Sequence, residues 1–129
     1  MESEQPEIWS HRDLVVWQKA MDLVDMIYAR VRSLPPEENY GLRSQMTRAS
    51  VSVPANIAEG SARTTSKDFA NFLSNARSSV MELETLLTVA RRQDFVPQSE
   101  YGPASAMITE VSKMLTSLRR RVLERKRRT

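Results

Sequence analysis

The sequence predicts an all-α fold, an antiparallel up-and-down four-helix bundle, and three observations carry that prediction. The composition suits helix: 129 residues hold only three glycines, and the plentiful Ala, Leu, Met, Arg and Glu lose little rotamer freedom in a helix. Four stretches repeat apolar residues at a period near 3.6. The links between them are short and marked by Pro or Gly, which makes an up-and-down bundle the simplest arrangement. The length fits one domain, with the bundle over residues 11–122 and a polar, acidic segment, residues 1–10, as a loosely ordered tail.

The first helix is predicted over about 12–33. Val16, Trp17, Ala20, Met21, Leu23, Val24, Ile27, Tyr28, Val31 and Leu34 make its apolar face, and Pro35-Pro36 ends it. Val15 and Met26 fall on the opposite, polar side and hint at a contact between subunits. The second helix is predicted over about 37–59 and closed by Gly60. Leu42, Met46, Ala49, Val53 and Ile57 form one stripe, while Val51, Ala55 and Ala58 are apolar on another side, the pattern of a helix covered on more than one side. Pro54 inside it bends the helix or removes one hydrogen bond, at a cost of up to ~3 kcal/mol. Ser50 and Ser52 are the candidates to bond the freed carbonyl. Packing geometry and a functional bend both remain open for that proline.

Thr65 or Ser66 is predicted to cap the third helix, 66–92, with Asp68 suited to its positive end and Arg91 and Arg92 to its negative end. Its core face is Phe69, Phe72, Leu73, Ala76, Val80, Leu83, Leu86, Leu87 and Ala90. Residues 94–103 read as a loop. The fourth helix, about 104–126, places Ala104, Ile108, Val111, Leu115, Leu118 and Val122 at coiled-coil seam spacing, with Met107 and Met114 beside them.

Several classes of chemistry are excluded. No cysteine is present, which removes disulfides, thiolate catalysis and cysteine-based zinc sites. The single histidine, His11, has no metal-ligand spacing around it, and no Glu-x-x-His, phosphate loop or serine elbow occurs. The chain is therefore expected to be no enzyme and to need no cofactor or metal. With no apolar run near the ~20 residues that span a bilayer and no signal peptide, it is expected in the cytoplasm and not in a membrane.

Charge is distributed unevenly. Residues 119–129 hold Arg119, Arg120, Arg121, Arg125, Lys126, Arg127 and Arg128 against Glu124, a net of six positive charges within a chain of net +3. Clustered guanidinium groups match phosphate geometry, so this run, with Arg43, Arg48 and Arg63 as secondary candidates, is a candidate contact for RNA or DNA; a solvated tail is the alternative. The aromatic residues are scattered, so binding is expected to be led by the backbone and weakly sequence-specific. A second constellation is polar: Gln45, Arg48, Ser52, Asn56 and Glu59 share one narrow stripe of the second helix. It reads as a network that sets the register of helices or subunits, or as the lining of a binding cleft. Glu59, unfavourable at a helix C-terminus, is expected to pair with Arg48 or Arg63.

These residues also carry a resemblance. Arg12-Asp13-Leu14-Val15-Val16-Trp17-Gln18-Lys19-Ala20, Leu34-Pro35, Tyr40-Gly41-Leu42, Arg48-Ala49 and above all Ser52-Val53-Pro54-Ala55-Asn56-Ile57-Ala58-Glu59-Gly60 resemble the four-helix-bundle proteins encoded in bacterial 23S rRNA intervening sequences. Phe69, Phe72-Leu73, Ala76-Arg77-Ser78-Ser79 and Glu82-Leu83-Glu84 extend the likeness. The resemblance implies a ring-shaped homo-oligomer, commonly a pentamer, with no enzymatic activity attached. It also implies kinship with the accessory variability proteins of diversity-generating retroelements, which bind a reverse transcriptase and its RNA; those partners come to this chain by analogy of fold alone. Two readings follow: an oligomeric accessory protein that touches nucleic acid, or an adaptor ring that binds another protein.

Overall fold

The computed structural model describes residues 11–128, without the side chains of Asp13, Lys126, Arg127 and Arg128. The predicted tail, residues 1–10, lies outside the described residues. Within them the structure is all-helical and has no strand. Four helices follow in order: α1 (Val15–Val31), α2 (Leu42–Ser61), α3 (Ser66–Arg92) and α4 (Gln98–Arg128). Single turns of 3₁₀ helix at His11–Asp13 and Pro36–Glu38 precede α1 and α2.

Each helix limit has a local cause. Leu14 breaks the chain between the first turn and α1: its backbone is extended, at φ −80° and ψ 124°, and its side chain is buried. The helix therefore starts at Val15 rather than near residue 12. Pro35, extended at φ −68° and ψ 157°, forces the exit from α1. The next segment coils only as a 3₁₀ turn, so α2 begins at Leu42, later than the predicted 37. Its first free N–H is met by Glu38, whose Oε1 accepts from Leu42 N at 3.1 Å.

The other end of α2 differs from expectation as well. Gly60 was predicted to stop the helix, yet it lies inside it and is buried. A Cβ there would stand 2.7 Å from Phe72 Cβ and 2.9 Å from Phe69 Cδ1. The glycine is thus where α2 and α3 approach most tightly, and its role is steric rather than conformational. Pro54 is buried within α2, and its missing N–H leaves the carbonyl of Ser50 without the usual helical donor. Neither predicted serine turns to that carbonyl: Ser50 Oγ donates to Thr47 O at 2.8 Å, and Ser52 Oγ meets Ser79 Oγ at 2.8 Å.

Thr65 caps α3, its Oγ1 accepting from Asp68 N at 3.1 Å. The helix closes by a Schellman turn in which Phe95 N–H reaches Ala90 O and Asp94 N–H reaches Arg91 O, both at 2.9 Å. Asp94 holds the left-handed position of that turn, at φ 64°. The following loop is shorter than predicted. The carbonyl of Pro97 accepts from Glu100 N and Tyr101 N, helix resumes at Gln98, and Pro103 lies within α4.

One core runs the length of these helices. The predicted seam of α4 (Ala104, Ile108, Val111, Leu115, Leu118, Val122) is buried throughout, as are Ala20, Leu23, Ile27, Met46, Val53, Ile57, Leu73, Val80, Leu83 and Leu87. Val96, in the link before α4, is buried as well. Met26, predicted on the polar side of α1, instead packs against this core. Helices touch their chain neighbours, α4 touches α1, and the diagonal pairs α1–α3 and α2–α4 do not meet. Lys19–Glu110 at 3.4 Å and Arg30–Glu100 at 3.6 Å bridge α1 and α4. No helix is long and apolar enough to cross a membrane.

Candidate nucleic-acid interface

The arginines of the fourth helix are held on a helix rather than in a frayed strand of chain: α4 continues to Arg128. The i, i+4 spacing places Arg119 on the flank nearest α3, where its Nε donates to the carbonyl of Ala70 at 3.3 Å. Arg120, Arg121 and Arg125 are exposed. Three neighbouring hollows gather them with residues from other elements. The largest, about 450 Å³, lies between α3 and α4 and is lined by Arg77, Arg119 and Arg120, with Glu124 at its rim. The second, about 430 Å³, is walled by Leu14, Phe69, Leu118 and Val122 beneath Arg121 and Arg125. A third, about 270 Å³, joins Arg63, Thr64, Thr65 and Ser66 to Val122 and Arg125. One end of the molecule, made by the start of α1, the α2–α3 connection and the last turns of α4, therefore brings Arg63, Arg121 and Arg125 to adjoining hollows.

Not every predicted basic residue joins this group. Arg63 does, and its guanidinium lies over the Phe72 ring, 4.6 Å from the centroid, a contact that fixes its direction. Arg43 does not. It closes the α1–α2 connection, Nη2 donating to Leu34 O and Nε to Asn39 Oδ1, each at 2.9 Å. Arg48 is exposed on α2 and lines none of the hollows. Lys126, Arg127 and Arg128 continue α4, but their side chains lie outside the described residues. Arg77, which the sequence offered only as part of the resembling Ala76-Arg77-Ser78-Ser79 segment, lines the first of these hollows.

The polar stripe of α2 divides in two. Asn56 Nδ2 donates to Ser52 O at 2.8 Å and to Ser52 Oγ at 3.0 Å, and Ser52 Oγ meets Ser79 Oγ of α3. This part is a network between helices. Gln45, Arg48 and Glu59 are exposed and stand outside it. Among the described residues no ion pair joins Glu59 to Arg48 or Arg63, because Arg63 is turned onto Phe72. His11 packs edge-on against Trp17, ring centroids 5.0 Å apart. No group of three or more His, Asp or Glu among the described residues could hold a metal ion.

The model of the family described as "23S rRNA-intervening sequence protein" matches residues 12–117. The chain belongs to this family. A solved structure of a protein of unknown function from the S23 ribosomal protein family of Bacteroides thetaiotaomicron is similar to this 23S rRNA-intervening sequence family member, with a TM-score of 0.75 and 26% identity. The likeness covers 81% of this chain and 97% of that one. The search of curated proteins gives no match. In this family member, the segment from Ser52 to Gly60 that carries the resemblance most strongly has a structural explanation at each end: the Ser52–Asn56–Ser79 network and the close approach at Gly60 both register α2 against α3.

Proposed function

We propose that this protein is a non-enzymatic, oligomeric, cytoplasmic accessory protein that binds the backbone of RNA or DNA through the basic end of an antiparallel up-and-down bundle. The observation that carries the reading is that arginines of separate elements share hollows: Arg63 of the α2–α3 connection with Arg125 of α4, and Arg77 of α3 with Arg119 and Arg120 of α4. A solvated charge run on one helix would not recruit Arg63 from the α2–α3 connection. Arginines at one end suit phosphates, and several copies in a ring would add their weak contacts into avidity. The family likeness favours a pentamer.

Removing residues 119–129 is a poor test, because Val122 is core and Arg119 holds Ala70. Charge reversal at the exposed Arg120 and Arg121 leaves the fold in place. The double variant Arg120→Glu/Arg121→Glu is expected to weaken polynucleotide binding and to flatten its salt dependence, read by titration of a labelled oligonucleotide across a salt series. Binding with an unchanged salt slope would sink the role of this end.

A second reading, an adaptor ring that engages another protein, is favoured by the outer face of α1 and α2. Lys19 and Arg30 reach α4 and Ser52 reaches α3. By the helical repeat, Met21 and Tyr28 of α1 and Val51 and Ala58 of α2 then share the outer side of the α1–α2 pair. Met21, Tyr28 and Val51 are 39–45% exposed, a patch of the kind that contacts protein. It serves self-assembly and a foreign partner equally well.

A further inference from the structure

The hollow between α3 and α4 is more than a place where arginines meet. Its accessible apolar lining is Met81 and Leu123, over the buried Leu73 and Leu115, and Arg77, Arg119 and Arg120 line it together with Ser74, Ser78 and Thr116. At about 450 Å³ it has the size of a ligand cleft. Resting on the nucleic-acid reading above, we propose that this groove is a seat for single-stranded RNA, with unpaired bases on the apolar lining and phosphates along the arginines.

The choice of a single strand follows from the apolar lining. A duplex turns its bases inward and offers phosphates and sugars, for which Leu123 and a 42%-exposed Met81 are poor partners. A single strand can splay its bases into such a groove and stack them on guanidinium planes as well as on side chains. The lining serines and threonine decide between the two nucleic acids. Hydroxyl groups exchange hydrogen bonds with a ribose 2′-OH, the group by which a protein tells RNA from DNA. Glu124 at the groove's edge repels phosphate, so the strand's backbone runs along Arg77, Arg119 and Arg120 and leaves that end to a base, whose amino group a carboxylate accepts. Arg119 is preset for this task, since the bond to Ala70 O holds its Nε while its side chain lines the groove.

The test compares a short labelled single-stranded RNA, the same sequence as single-stranded DNA, and the RNA duplex, each titrated by fluorescence anisotropy. The intact chain is expected to bind the single-stranded RNA about tenfold or more tightly than the other two. Met81→Glu and Arg77→Glu, both at exposed positions, are each expected to weaken that binding about tenfold, with Met81→Glu acting more on the single strand than on the duplex, while Arg32→Glu on the distant turn after α1 changes neither. Crosslinking of 4-thiouridine RNA to the unaltered chain should label peptides of α3 and α4, a readout independent of variant folding. Equal affinity for duplex and single strand, preference for DNA, or indifference to Met81→Glu with no label in α3 or α4 overturns the groove while leaving backbone binding at the basic end intact. Binding of no polynucleotide overturns the reading beneath it as well.

Discussion

At Gly60 the side chain that is missing matters more than any that is present. The 2.7 Å and 2.9 Å distances from a hypothetical Cβ to Phe72 and Phe69 leave no room for a methyl group without moving α3, since one contact is to a Cβ bound rigidly to its backbone. Gly60→Ala raises helix propensity and yet is expected to destabilise the protein by about 1–3 kcal/mol, measured by denaturant unfolding; a stabilised variant would mean that the two helices separate easily. Asp94 presents the opposite case. It occupies the left-handed position of the Schellman turn at φ 64°, where a Cβ is penalised by about 1–2 kcal/mol. Asp94→Gly is expected to stabilise by about 1 kcal/mol, seen as a higher melting temperature. The sequence shows that both residues end up near helix ends but cannot separate their roles: a glycine before Ser61 looks like a stop, and an aspartate after Gln93 looks like ordinary loop. The distinction depends on the partner helix in one case and on a backbone angle in the other, and neither is encoded in local spacing.

Elements were legible in proportion to how far local chemistry decides them. The limits of α3 follow from a Thr65 cap and a pair of terminal arginines, and the buried seam of α4 follows from its spacing. The starts of α2 and α4 resist such reading for opposite reasons. Glu38 caps α2 from four residues upstream, a contact that no short motif announces. Pro103 suggests a loop, yet α4 admits it near its beginning, where only the bond to Ser99 O is lost. Between elements, Ser52 and Ser79 join α2 to α3, and the sequence signalled only the first of the pair. A double-mutant cycle of Ser52→Ala and Ser79→Ala is expected to give a coupling of about 0.5–1.5 kcal/mol. No coupling would mean that Asn56, which also reaches Ser52, holds the register alone. The basic end was half visible in the same way. A run of arginines on one helix is conspicuous and Arg63 stood among the secondary candidates, whereas Arg77 acquires meaning only when α3 is laid beside α4.

For the molecule as a whole, the proposed function puts assembly and binding on different surfaces. The apolar outer side of α1 and α2 is distant in sequence and chemistry from the basic end, so the two can be separated by mutation. Val51→Glu, at a position 43% exposed, is expected to reduce the oligomer to single chains in light scattering, with little loss of helix in circular dichroism. An oligomer unaffected by that charge would move the contact to another face. Weakened polynucleotide binding by the single chains would then report avidity rather than a damaged site.

Leu14 and Val122 wall the same hollow, so the first and last helices open onto one place. A ligand seated there therefore touches the start of the bundle and its last helix at once. Tyr40, 98% exposed, lies in the connection beyond the far end of α1, a 17-residue helix about 25 Å long. A single cysteine placed there carries a dye or surface linkage clear of the arginine-lined hollows.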